Sequence, residues 1–135
     1  MTNQEFRVKM RELLPGCSEP AMESWAKYAH HLDTEDMIFE ADFYDEIYVN
    51  LSLIKQHQGE QIARELFDYG EEFTFNSFEL RGAAAKLTEG WSLEEISEHA
   101  VEFGCDATEE EFQESRAVLK AFRDREHGFP EMRMK

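Results

Sequence analysis

The side chains of this chain that could do chemistry are mostly carboxylates, and seventeen of the thirty fall in two runs free of lysine and arginine. Between Lys27 and Lys55 there is no lysine or arginine, only Asp33, Glu35, Asp36, Glu40, Asp42, Asp45 and Glu46. Between Lys86 and Arg116 the same holds, with Glu89, Glu94, Glu95, Glu98, Glu102, Asp106, Glu109, Glu110, Glu111 and Glu114. Dense carboxylate suits three kinds of chemistry: recognition of a basic partner, cation binding and proton transfer. Read as one helix, residues 33–46 span about 20 Å at ~1.5 Å per residue. That is roughly one carboxylate per 3 Å, near the ~3.4 Å charge spacing of a DNA strand. Such a surface fits the phosphate-binding groove of a nucleic-acid enzyme, with encounter steered by charge and weakened by salt. Phe39, Phe43, Tyr44 and Tyr48 are interleaved with the first run and are of the types that anchor interfaces. Tyr44 and Tyr48 also fit core positions. Glu94, Glu98 and Glu102 stand at i, i+4, i+8, where like charges cost only about 0.2–0.5 kcal/mol per pair. A plain solvated helix face would tolerate them equally well.

Cation binding and catalysis have thinner support. Glu95 and His99 lie at i, i+4 and could share a divalent ion with Glu98 or Glu102. One histidine among exposed glutamates is ordinary surface, however, and His30 and His31, as neighbours on a helix, point about 100° apart. Asp42-x-x-Asp45-Glu46 has neither the alternation nor the central glycine of a calcium loop. H-E-x-x-H, G-x-S-x-G, P-loop and G-x-G-x-x-G patterns do not occur. The two cysteines, Cys17 and Cys105, are too few for a disulfide framework or a zinc site. Cys105 has no histidine placed in sequence as its base. The expectation is a non-catalytic protein with no cofactor and no metal, with Cys17 and Cys105 as thiols of a reducing compartment, or as a long-range bridge if the chain is exported.

Helices must position these residues. Thr2-x-x-Glu5, Asn76-x-x-Glu79, Ser92-x-x-Glu95 and Thr108-x-x-Glu111 are capping boxes, each followed by apolar residues at helical spacing. Ser18 precedes Glu19-Pro20, with proline in the first turn, and Asp33-Thr34 marks a third start with Glu35 and Asp36 in its first turn. Stops fall at Pro15-Gly16, Gly70, Gly90, Gly104 and Gly128. Tyr44, Ile47, Tyr48, Leu51 and Ile54 fit one helical face, although 47–53 also alternates like a strand whose partner would be 73–75. A two-stranded ribbon alone is marginal, so helix is expected. The reading is an all-α bundle of six to seven short helices, one domain over residues 1–127, and a basic tail over 128–135.

The bulk numbers agree with that picture. Fourteen basic against thirty acidic side chains in 135 residues give a net charge of −16, which repels nucleic acid and anionic lipid. An apolar fraction of 41% is too high for a disordered chain. No stretch approaches the roughly 18 apolar residues of a membrane span, and no secretory signal opens the chain, so a cytoplasmic location is expected.

Residues 80–114 carry a further pattern. Leu80-Arg81-Gly82-Ala83-Ala84-Ala85-Lys86-Leu87, Ser92-Leu93-Glu94-Glu95-Ile96, Ala100-Val101-Glu102-Phe103-Gly104 and Thr108-Glu109-Glu110-Glu111-Phe112 resemble the Nif11-type leader domain. The likeness covers about a quarter of the chain. It implies a docking helix pair that enzymes modifying a ribosomal peptide recognise, although no Gly-Gly cleavage site follows here. In class, without a shared motif, the chain is similar to the acidic inhibitors of phages and mobile elements, antirestriction and anti-CRISPR proteins among them. The expected function is an inhibitor or regulator that engages a basic groove through 33–46, through 94–114, or through both. The alternative is a peptide-recognition module on the 80–114 helix pair, and a metal-binding protein or enzyme comes third.

Overall fold

A computed structural model describes residues 1–105 and 108–126. Asp106, His127, the 128–135 tail and any pairing of Cys17 with Cys105 lie outside what is described. The chain forms α1 (Asn3–Leu13), α2 (Glu19–Thr34), α3 (Glu40–Gln58), α4 (Glu60–Asp68), a 3-10 turn (Tyr69–Glu71), α5 (Ser77–Thr88), α6 (Leu93–Glu98), α7 (Ala100–Cys105) and α8 (Glu109–Glu126). It is an all-α fold, with no strand among the described residues.

The capping chemistry works as its spacing predicts. The side chains of Thr2, Asn76, Ser92 and Thr108 accept from the N3 amides, and Glu5, Glu79, Glu95 and Glu111 accept in return from the cap amides. Ser18 caps α2, with proline in its first turn. Two boundaries differ from the sequence reading. The segment expected to run as one helix from residue 92 to 104 breaks at His99, giving α6 and α7. The third helix starts at Glu40 and not at Asp33, for the reason given below.

The stretch that also alternates like a strand is continuous helix within α3. Phe43, Tyr44, Ile47, Val49, Leu51, Leu53 and Ile54 are all buried there. α1, α2, α4, α5 and α8 all pack against α3, so apolar residues are needed all round it and the 3.6-residue stripe of a surface helix is lost. Phe73 and Phe75, the expected strand partner, lie in the extended link before α5 and pack edge to face at 4.9 Å.

Two glycines set close approaches. Trp25 is fully buried, stacks on Phe67 at 5.8 Å and donates its Nε1–H to the Phe67 carbonyl at 2.8 Å. A Cβ on Gly70 would sit 2.3 Å from that indole nitrogen. In mid-α5, a Cβ on Gly82 would come within 2.5 Å of Phe103 Cβ and 3.0 Å of the Phe103 carbonyl oxygen. Gly82 is the point where α7 lies down on α5. Forcing a methyl into a packed contact costs about 1–3 kcal/mol. Gly82→Ala is therefore expected to lower the thermal midpoint by roughly 3–10 °C, read by circular dichroism. An unchanged midpoint would show that α7 does not rest on α5 as described.

Candidate interaction surface

The first acidic run is not one helical face. α2 ends at Thr34, Glu35 is its C-cap, and Asp36 turns into the left-handed region at φ 57°. Met37 N–H donates to Leu32 O at 3.0 Å and Asp36 N–H to Asp33 O at 3.0 Å. These are the two bonds of a Schellman stop, with aspartate standing where glycine is usual. Asp33 then caps the next helix: its Oδ2 accepts from Glu40 N–H at 2.9 Å, because Phe39 at the N-cap has no acceptor of its own. The expected single helix over 33–46 is thereby corrected to helix end, loop and helix start.

Most carboxylates that follow are engaged within the protein. Glu40 accepts from the Tyr44 hydroxyl at 2.8 Å and lies 3.5 Å from His30 Nδ1. Asp45 is buried, 2.6 Å from the Met1 ammonium and 3.0 Å from Arg123 Nε, while a terminal Arg123 nitrogen reaches Asp42 at 3.1 Å. Glu46 accepts from Ser77 at 3.0 Å. Burial pushes the Glu46 carboxyl up, opposed by that hydrogen bond and by Arg123. Burial likewise raises the Tyr44 phenol to about 12.

The second run divides in the same way. Glu95 and Glu111 fold back as capping-box partners, and the Ser92 bonds hold Glu95 below the usual carboxylate range. Glu114 is lowered by the Arg81 hydrogen bond at 2.9 Å, with His57 3.4 Å away. Glu109 accepts from Gln113 at 2.6 Å, and Glu102 pairs with His99 at 2.9 Å. Glu35, Asp36, Glu94, Glu98 and Glu110 are exposed, and among the described residues no donor holds their carboxylates. Glu94 and Glu98 stand on α6 and Glu102 on α7, so the i, i+4, i+8 row is split between two helices.

Of the four interleaved aromatics, Phe43 and Tyr44 are core and Tyr48 packs on Phe122 at 5.2 Å. Phe39 is 72% exposed, and beside it Met37, which the sequence reading passed over, is 71% exposed. Ile38 between them turns inward and packs on the core, which holds the loop in place. Asp33, Asp36, Met37, Ile38, Phe39 and Asp42 surround an open depression of about 390 Å³. The signal for Met37 was in the sequence: an apolar triplet, Met37-Ile38-Phe39, enclosed by acids on both sides.

No three His, Cys, Asp or Glu side chains form a group that could hold a metal ion among the described residues. No helix of the described residues is long and apolar enough to cross a membrane. Comparison with protein-family models, with characterised proteins and with solved structures finds no match for the chain.

Two outcomes follow from the titrating groups. The Glu102 hydrogen bond raises His99 above its ordinary value near 6.5, aided by the charges of Glu98 and Glu95. A raised pKa means that the pair contributes fully below the ordinary value and is lost as pH rises through the raised one. In an NMR titration, Glu102→Gln should bring the His99 midpoint down; an unmoved midpoint would exclude Glu102 as the cause. Glu46 carries the opposite lesson, since its ionised form is disfavoured where it sits. Glu46→Gln is expected to keep or raise the thermal midpoint at pH 7, the gain fading as pH falls through the raised carboxyl pKa. A clear loss at pH 7 would show that the charge itself holds α3 to α5.

Proposed function

We propose that this chain is a non-catalytic acidic interaction protein of the cytoplasm, an inhibitor or regulator that seats on the basic groove of a nucleic-acid-handling enzyme. In this reading it acts as a DNA mimic, in the manner of the antirestriction and anti-CRISPR proteins of phages and mobile elements. One observation carries the reading: Met37 and Phe39 stand out from the surface around a depression that Asp33, Asp36 and Asp42 also line. Exposed apolar side chains within a charged rim have the composition of an interface anchor, where a desolvated centre supplies affinity and the rim supplies steering. Glu94, Glu98 and Glu110 add negative field from elsewhere on the surface. A partner with lysines and arginines around an apolar slot complements this loop.

The test is capture from a bacterial lysate on immobilised protein, with stepwise salt elution and mass spectrometry. A nuclease or other nucleic-acid enzyme should leave between roughly 50 and 500 mM salt, where the screening length shrinks to a few ångströms. The Met37→Ser, Phe39→Ser double variant should release the same enzyme at lower salt. Retention of nothing, or of a salt-resistant partner without a basic groove, would overturn the reading.

A second reading rests on a different feature, a cleft of about 170 Å³ among α5, α7 and the start of α8, lined by Arg81, Gly82, Ala85, Lys86, Glu89, Phe103 and Glu111. It would make the 80–114 region a peptide-docking, leader-like module. Retention that resists salt, survives the 37/39 double variant and is lost on Lys86→Glu would favour it.

A further inference from the structure

The attachment of α8 differs from that of every other long helix. Of its side chains only Phe122 is buried, whereas α2 buries Ala21, Met22, Trp25, Ala29 and Leu32. Phe122 does not join the main core. It forms a separate cluster with Val49 and Leu53 of α3, flanked by Met1, Tyr48, Val118 and Leu119. Near its start Phe112 packs edge to face on Phe78 of α5 at 4.7 Å, and the remaining contacts are polar ones of a kind that water can replace. Arg123 reaches Asp42 and Asp45, Arg81 donates to Ser115 at 2.8 Å and to Glu114, Ser115 donates to Asn50 at 3.1 Å, and Lys9 lies 3.2 Å from Glu126. A small, partly open pocket of about 140 Å³ lies beside the end of the helix among Met1, Glu5, Asp45, Phe122 and Glu126.

The surface that α8 covers is built to receive a particular pair of side chains. Val49 and Leu53 form an apolar floor, and Lys9 lies 5.8 Å over both the Tyr48 and Phe122 rings. One end is walled by Asp42 and Asp45, whose carboxylates accept from two nitrogens of one guanidinium, a terminal nitrogen and Nε. A planar fork between two carboxylates is the geometry in which arginine outperforms lysine. An aromatic residue followed directly by arginine fills floor and wall together, in the helix-in-groove mode.

We propose that this groove on α1 and α3 is a second interaction surface, which takes an amphipathic helix bearing an aromatic–arginine pair. α8 is its resident occupant, and a helix of the target displaces it. The identity of the displacing helix rests on the reading above that the target is a basic protein. α8 acts as an internal competitor, since tethering holds it at high effective concentration. An incoming helix binds with its intrinsic affinity scaled by the fraction of molecules in which α8 is out.

The test uses the full chain and a fluorescein-labelled synthetic peptide spanning Phe112–Glu126. By anisotropy, the Phe122→Ser, Arg123→Ser double variant should bind this peptide at least ~10-fold more tightly than wild type does, because its own α8 no longer competes. Adding Asp42→Asn should reverse most of that gain, and a peptide with serine at both positions should not bind. Equal affinity for wild type and double variant, or equal binding of the serine peptide, would overturn the proposal. Hydrogen exchange on the unaltered protein keeps the test decisive if the variant folds poorly: α8 amides should exchange through an opening that leaves α3 protected, and exchange of both helices in one step would overturn it. The two readings fall separately. A basic enzyme captured in the salt-stepped experiment without loss of α8 protection sinks the groove and leaves the function, while an empty capture sinks the function.

Discussion

The burial of α3 on every side is the constraint on which the rest of the structure depends. Five helices pack around it, so it carries apolar side chains over most of its circumference. It also brings Asp45 and Asn50 into buried positions. A buried carboxylate or amide is costly unless it is hydrogen-bonded or paired. Arg123 and Ser115 of α8 meet that need, together with the Met1 ammonium. The polar attachment of the last helix is therefore the direct consequence of polar groups built into the central one.

The same constraint decides what the negative charge is for. A net charge of −16 suggests a surface given over to recognition, yet many carboxylates have structural work. Glu5, Glu79, Glu95 and Glu111 close capping boxes, Asp33 caps the α3 start, and Asp42, Asp45 and Glu114 balance arginines. Each engaged acid lowers the repulsion among its neighbours and ties an element down. Within the two acidic runs, those left in solvent, Glu35, Asp36, Glu94, Glu98 and Glu110, form no single stripe, so the regular spacing of the sequence does not survive as a regular spacing in space.

The loop between α2 and α3 shows how a local stop can create a surface. Asp36 accepts a left-handed conformation, a few-per-cent event for a non-glycine residue but one that aspartate tolerates better than most. The turn that results sends Ile38 inward and leaves Met37 and Phe39 outside. A continuous helix would have laid these three side chains around a cylinder; the turn instead gathers the outer two at one place among acids.

Local chemistry was legible in the sequence. Capping pairs, first-turn proline and helical apolar spacing each act within four or five residues, and they gave the all-α class and the main helices. The stop at Asp36 was missed because aspartate there reads as a first-turn acid, and the break at His99 because no glycine or proline marks it. The role of Gly82 was missed for a different reason: a mid-helix glycine has no local meaning until Phe103 lies against it. Only the tertiary structure decided which acids face solvent, since a carboxylate is engaged or exposed according to what a distant helix brings to it. Arg123 reaches Asp45 across 78 residues and Arg81 reaches Glu114 across 33. Separations of that size leave no trace in short-range spacing, and so the sequence by itself determined the helices and the sign of the surface, while packing around α3 determined where that charge is available.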